Sequence, residues 1–135
     1  MELSLRALKE SDYEDMCSWW KWWRWPEVSK DTLPMNGIGG LMVYKDDILI
    51  AAGFLYLTNS NVALIEFIVS NPNYRQSDRK DALEVLIMGL EDVARSQGRD
   101  TIVSFSSNKS LINIHEKLNY AVDKNPSYEI SKKIM

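Results

Sequence analysis

Apolar and polar residues alternate through "LSLRAL" at 3–8, the two-residue period of a half-buried strand. The period then lengthens. "SDYE" sets Ser11 and Glu14 at the spacing of a capping box, which opens a helix. Along it Tyr13, Met16, Cys17 and Trp20 share one face, and Pro26 limits its length. "GLMVYK", Asp46-Asp47 and "ILIAAGFLYLT" predict two strands joined by a tight hairpin, and "NSN" at 59–61 a further turn. "VALIEFIVS" at 62–70 is apolar on both faces, the mark of a central strand covered from two sides.

Leu83, Leu86, Ile87, Leu90 and Ala94 then fall at helical spacing over 78–97, and Gly98 stops that helix. "TIVSF" at 101–105 reads as a strand, 108–118 as an amphipathic helix and "SYEISKKI" at 127–134 as a closing strand. A short helix inside the loose 24–37 stretch completes the order β-α-(short α)-β-β-β-α-β-α-β. The pattern predicts one α/β (α+β) domain over 1–135. Its mixed, mostly antiparallel twisted sheet has about six to seven strands, with helices on both faces.

Composition narrows the function. At 45% hydrophobic and 26% charged residues, 135 residues form a globular domain with a real core. A net charge of −3 predicts no nucleic-acid partner. The lone Cys17 excludes an internal disulfide, and no Cys/His cluster has metal-ligand spacing. No apolar run approaches ~18 residues and no leader pattern is present, which predicts neither membrane association nor export, hence a cytoplasmic protein.

The element order, with "NPNYRQSDRKDAL", "LEDVARSQG" and "NKSLINIHEKLNY", resembles the GCN5-related N-acetyltransferase (GNAT) superfamily over nearly the whole chain. The "WW…W…P", "GFLYLTNS" and "IVSNP" stretches resemble small acetyltransferase-like proteins encoded by bacteriophages. The resemblance implies a GNAT-like sheet, acetyl-CoA as co-substrate, and an amine acceptor on a small molecule or a protein. The superfamily's cofactor motif runs Pro-x-Tyr-Arg-Gly-x-Gly-x-Gly/Ala. Pro72, Tyr74 and Arg75 match it, whereas Gln76, Asp78 and Lys80 fill the glycine positions.

Those glycines let bare N–H groups approach a diphosphate at a helix N-terminus. Here side chains crowd the approach, and Asp78 adds negative charge. Either Arg75, Arg79 and Lys80 bind phosphate by charge-assisted contacts, or the pocket has decayed and the fold serves binding alone. A third reading makes the stretch a solvated helix start with Ser77 as N-cap. Under the first, cofactor contacts fall on Arg75, Gln76, Ser77, Asp78, Arg79, Lys80 and Asn108. The backbone of Ile68, Val69 and Ser70 adds to them, with a register uncertain by one because "VSNP" carries an extra residue. Asn108 also reads as an N-cap.

Acetyl transfer needs a neutral amine, a stabilised oxyanion and a proton for the departing thiolate. Glu66 interrupts an apolar strand and must face a wet cleft, pair with a cation, or be protonated. The resemblance makes it the candidate base. His115 in "IHEKLNY" stands where the superfamily commonly has the tyrosine acid, and Tyr120 is a second candidate acid.

All five tryptophans lie within 19–25, more than one short helix can bury. Trp20 points to the core and Trp19 and Trp23 flank it. Trp22, Trp23 and Trp25 are expected to wall the acceptor side of the cleft. The rival function is a catalytically silent GNAT fold that binds a host protein or its own copy, as a homodimer, through this Trp-rich face.

Overall fold

The computed structural model describes residues 2–125 and 127–135. Strand β1 spans Ser4–Ala7 and helix α1 Asp12–Trp22, followed by a tight turn over Pro34–Gly37. Strands β2 (Gly40–Lys45), β3 (Ile48–Leu57) and β4 (Val62–Ser70) form the meander. Helix α2 (Arg79–Ser96) crosses to β5 (Thr101–Ser104), and α3 (Lys109–Lys117) follows. The sheet order is β1-β2-β3-β4-β5, antiparallel except for the parallel pair β4/β5 that the crossover demands. No helix among the described residues is long and apolar enough to cross a membrane.

Alternation along the strands feeds two cores. Val43, Ala51, Leu55, Ala63 and Ile65 pack with Leu86, Ile87 and Leu90 of α2 and Ile114 of α3. On the other face Met42, Ala52, Phe54 and Val69 meet Met16, Trp19 and Trp20 of α1. The helices therefore lie on both faces, as the pattern predicts.

One irregularity shapes β4. Ala52 pairs with Val69 and Phe54 with Glu66, so Gly53 alone faces both Phe67 and Ile68. Phe67 takes φ 57°, a left-handed conformation that costs a phenylalanine about 1 kcal/mol or more. A Cβ on Gly53 would sit 3.1 Å from Ile68, so the absence of a side chain there makes room for the bulge. Beyond it β4 keeps its pairing with β3 but not with β5, which it meets only at Val62, Ala63, Leu64 and Ile65. The upper edge of β4 is thus left open.

Three expectations change. The sheet has five strands, and 127–134 forms none; Tyr128 and Ile130 stand about nine-tenths exposed. Alternation gives a segment two faces, but a strand also needs a neighbour to pair its backbone, and this one has none among the described residues. The capping box is displaced as well. Ser11 is helical and makes no side-chain cap. The first turn begins at Lys9, whose N–H donates to Asp12 Oδ2 at 2.9 Å, and Asp12 also accepts both arms of Arg6 at 2.7 and 2.9 Å. Lastly, the predicted short helix between α1 and β2 is only a tight turn, with Met35 and Asn36 in left-handed conformations at φ 52° and 55°.

Helix α1 ends in a Schellman reversal. Trp25 N–H donates to Trp20 O and Arg24 N–H to Lys21 O, with Arg24 at φ 63°. That reversal folds Trp25 back onto Trp23, the two rings stacked at 5.9 Å.

Asp12 is fully buried. Burial opposes its ionisation, but the Arg6 fork and the Lys9 N–H outweigh it and hold the carboxyl below its ordinary value. Its stabilisation is present above the ordinary 3.8 and is lost as pH falls through the depressed value. Asp12→Ala should cost about 2–3 kcal/mol in urea denaturation, because it strands the Arg6 fork and an N–H. A loss below a few tenths would remove this pair from the stabilising contacts.

Candidate functional site

The junction between β4 and α2 is built by the extra residue in "VSNP". Asn71 N–H donates to Ile50 O at 2.7 Å and its side chain to Leu49 O, extending the ladder by one pair. Its side-chain oxygen then accepts the Asn73 N–H and starts the turn. Tyr74 is buried after it, and its hydroxyl donates to Asp78 Oδ1 at 2.5 Å while Lys45 donates to Asp78 Oδ2 at 3.0 Å. Tyr74, then Lys45, hold the Asp78 carboxyl below its ordinary range. Asp78 occupies the N-cap position of α2 expected of Ser77, yet no side chain caps that helix.

This turns the expected repulsion around. Asp78 faces the β2-β3 hairpin and does not line the hollow on the other side of the loop. That hollow, about 460 Å³, is bordered by Arg75, Gln76, Ser77, Arg79 and Lys80, with Pro72 at its base. Among the described residues none of these three cations has a carboxylate partner. Arg75 donates through Nε to Pro72 O, and Arg79 to Ser70 Oγ at 2.9 Å.

The opposite wall is aromatic. Trp22 and Trp23 line the hollow, with Arg75 5.9 Å from the Trp22 ring and Arg79 5.3 Å from the Trp23 ring. Trp22 and Trp23, two of the three rings expected to wall the acceptor side, thus stand against the basic loop. Periodicity separated buried from exposed rings (Trp20 is 2% exposed, Trp22 51%), but it could not say which loop the exposed ones meet. Of the two residues that hold Asp78 aside, Lys45 lies in no motif, and Tyr74 is marked only as a match to the cofactor motif.

At the open edge of β4, the Asn71–Ile50 bond and ladder alternation turn the N–H and C=O of Ser70 away from β3. That carbonyl accepts the Trp23 indole N–H at 2.9 Å. Val69 is buried and paired with Ala52, and Ile68 sits in the bulge.

Glu66 shares a face with its partner Phe54, and its Oε1 is buried with no hydrogen-bond partner. Burial pushes its carboxyl up, the Phe105 N–H partly offsets this, and Glu129 adds to the rise. His115 is buried on α3 with Nδ1 2.8 Å from Leu111 O. A carbonyl only accepts, so Nδ1 carries the proton and Nε2, buried and unpartnered, is the other ring nitrogen. Tyr120 stands edge-on to His115 at 4.9 Å and donates to Glu91 at 2.6 Å. Burial, then Glu91, raises its pKa far above the usual tyrosine value. Asn108 accepts the Leu111 N–H as N-cap of α3. The structure thus gathers Arg75, Gln76, Ser77, Arg79, Lys80 and Ser70 with Trp22 and Trp23, and turns Asp78 away. It sets Glu66 on the α1 face and His115 with Tyr120 on the helix-α3 side.

No family model matches the chain, and no curated protein sequence matches it. Solved structures do. An acetyltransferase of Trypanosoma brucei is similar over 96% of this chain and 100% of its own, at 23% identity and a TM-score of 0.66. The fold is the GCN5-related N-acetyltransferase fold. The ribosomal-protein-S18-alanine N-acetyltransferase of Escherichia coli is similar over 87% of this chain and 76% of its own, with 16% identity and a TM-score of 0.67. The N-acetylglutamate synthase of Neisseria gonorrhoeae, solved with coenzyme A and N-acetyl-glutamate, has a TM-score of 0.69 at 15% identity. It aligns with 86% of this chain, which spans 28% of the synthase.

Because the Glu66 carboxyl is raised above its ordinary 4.5, the native state holds more protons than the unfolded chain between those two values. Stability falls as pH rises through that window. Glu66→Gln should remove this fall and melt higher than wild type above it. Melting curves of the two proteins that stay parallel across the mildly acidic range would show that Glu66 is not desolvated.

Proposed function

We propose that the protein is an N-acetyltransferase that takes an acetyl group from acetyl-CoA and delivers it to an amine on a small molecule or a protein. The observation that carries this is the hollow beside the uncapped start of α2. Among the described residues its three cations have no carboxylate partner, and Asp78 is tied off by Lys45 and Tyr74. A diphosphate is the group such a site fits, through charge-assisted contacts and the positive end of the helix dipole. The neighbours solved with coenzyme A support the same reading.

Acetyl-CoA supplies a thioester that a neutral amine can attack. In our assignment Arg75, Arg79 and Lys80 hold its diphosphate, and the open β4 edge at Ile68, Val69 and Ser70 orients the acyl arm. Glu66, with its raised carboxyl, takes the proton from the amine directly or through water. The thiolate's proton is assigned to His115, whose bare Nε2 must first take up a proton before passing it to the sulfur, in preference to Tyr120, whose hydroxyl proton is already donated to Glu91.

Acetyl-CoA at a hundredfold excess over its Kd should stabilise the protein by about 2.7 kcal/mol and raise its Tm accordingly. No shift at millimolar acetyl-CoA would favour a silent fold that uses the half-exposed Trp22 and Trp25 for protein contact. Glu66→Gln should keep the acetyl-CoA shift and lower kcat/KM with amine acceptors by about 10²-fold or more. Full activity in that variant would remove Glu66 as the base.

A further inference from the structure

An arginine that serves an anion site must be held still without being neutralised. A carboxylate partner would fix it but cancel its charge and occupy its donors. Arg75 and Arg79 have no such partner among the described residues, and each instead lies against an indole, Trp22 and Trp23 respectively. An indole face attracts the guanidinium through its quadrupole, adds no net charge and uses none of the in-plane N–H groups.

The rings are themselves anchored. Trp23 donates to Ser70 O at 2.9 Å while Arg79 donates to Ser70 Oγ at 2.9 Å, so one serine fixes both members of the pair. Trp25 stacks on Trp23, and Trp22 meets Trp23 edge-on at 4.9 Å. The tryptophan run thus reads as a rigid aromatic backing for two arginines.

We propose that Trp22 and Trp23 are positioning residues whose faces hold Arg75 and Arg79, still charged, for the phosphate groups of the ligand. This rests on the acetyl-CoA reading above and names what makes the loop competent without glycines. The backing acts only on the phosphate-bearing end, so a thioester without phosphates should not sense it.

The test compares acetyl-CoA with acetylpantetheine in calorimetric titrations and turnover. Wild type, Trp22→Leu, Trp23→Leu and Trp23→Phe would be used. The leucine variants should bind acetyl-CoA about 5–30-fold more weakly, a range set by the strength of cation–π contacts. KM for acetyl-CoA should rise in step while kcat and the kinetics with acetylpantetheine stay unchanged. Trp23→Phe keeps a ring and should retain most of the affinity. The salt dependence of binding should keep its slope, since no charge is removed, and only its intercept should move. If wild type fails to bind acetyl-CoA, the functional reading falls and this inference with it. If wild type binds and the leucine variants bind as tightly, or lose acetylpantetheine turnover equally, the inference alone is overturned. Equal losses in Trp23→Phe and Trp23→Leu would assign the effect to the Ser70 hydrogen bond and overturn the role of the ring face. Should Trp23→Leu fail to fold, the exposed Trp22→Leu decides.

Discussion

Strand β4 has to satisfy two neighbours of unequal length. It pairs with β3 along nearly its whole run but with β5 at only four residues, and the misfit is taken up at one point, where Phe67 and Ile68 crowd against the side-chain-free Gly53. A left-handed phenylalanine is unfavourable by itself and persists because the paired β3 ladder on both sides over-determines it. The other parts of the site follow from that kink. It leaves an unpaired strand edge, sets Glu66 in a desolvated position beside Phe54, and delivers Ser70 to the place where α1 and α2 both reach it.

Around Ser70 the charges are sorted rather than cancelled. The loop that opens α2 contains Arg75, Asp78, Arg79 and Lys80 within six residues, which in water would largely screen one another. Folding separates them. Asp78 is taken to the hairpin side by Lys45 and Tyr74, and the two arginines go to the tryptophan side, leaving the hollow cationic. A glycine loop binds a diphosphate with backbone N–H groups; in the function proposed above, guanidinium groups take that part, with side chains where such a loop has glycines.

The proton-carrying groups also differ by environment rather than by type. Glu66 is raised mainly by burial, and Tyr120 is held protonated by burial and by Glu91.

Much of the scaffold was legible in the chain. Periods of two and of about 3.6, the Asp46-Asp47 and 59–61 turns, Gly98 and the Asn108 cap marked β2 to β5, α2 and α3, because local geometry and burial set those signals. Where patterns misled, the missing ingredient was a partner. Alternation at 127–134 promised a strand that has no neighbour to pair with, and the Ser11 cap yielded to Asp12 because Arg6 of β1 lies beside it. For the site, sequence singled out 75–80, Glu66 and His115, and the broken glycine pattern left open whether cations replace the loop or the pocket has decayed. Only the tertiary structure decided that Asp78 faces away and that Trp22 and Trp23 back the arginines. Those contacts join residues 33 to more than 50 positions apart, and side chains that meet only after folding leave no period in the chain.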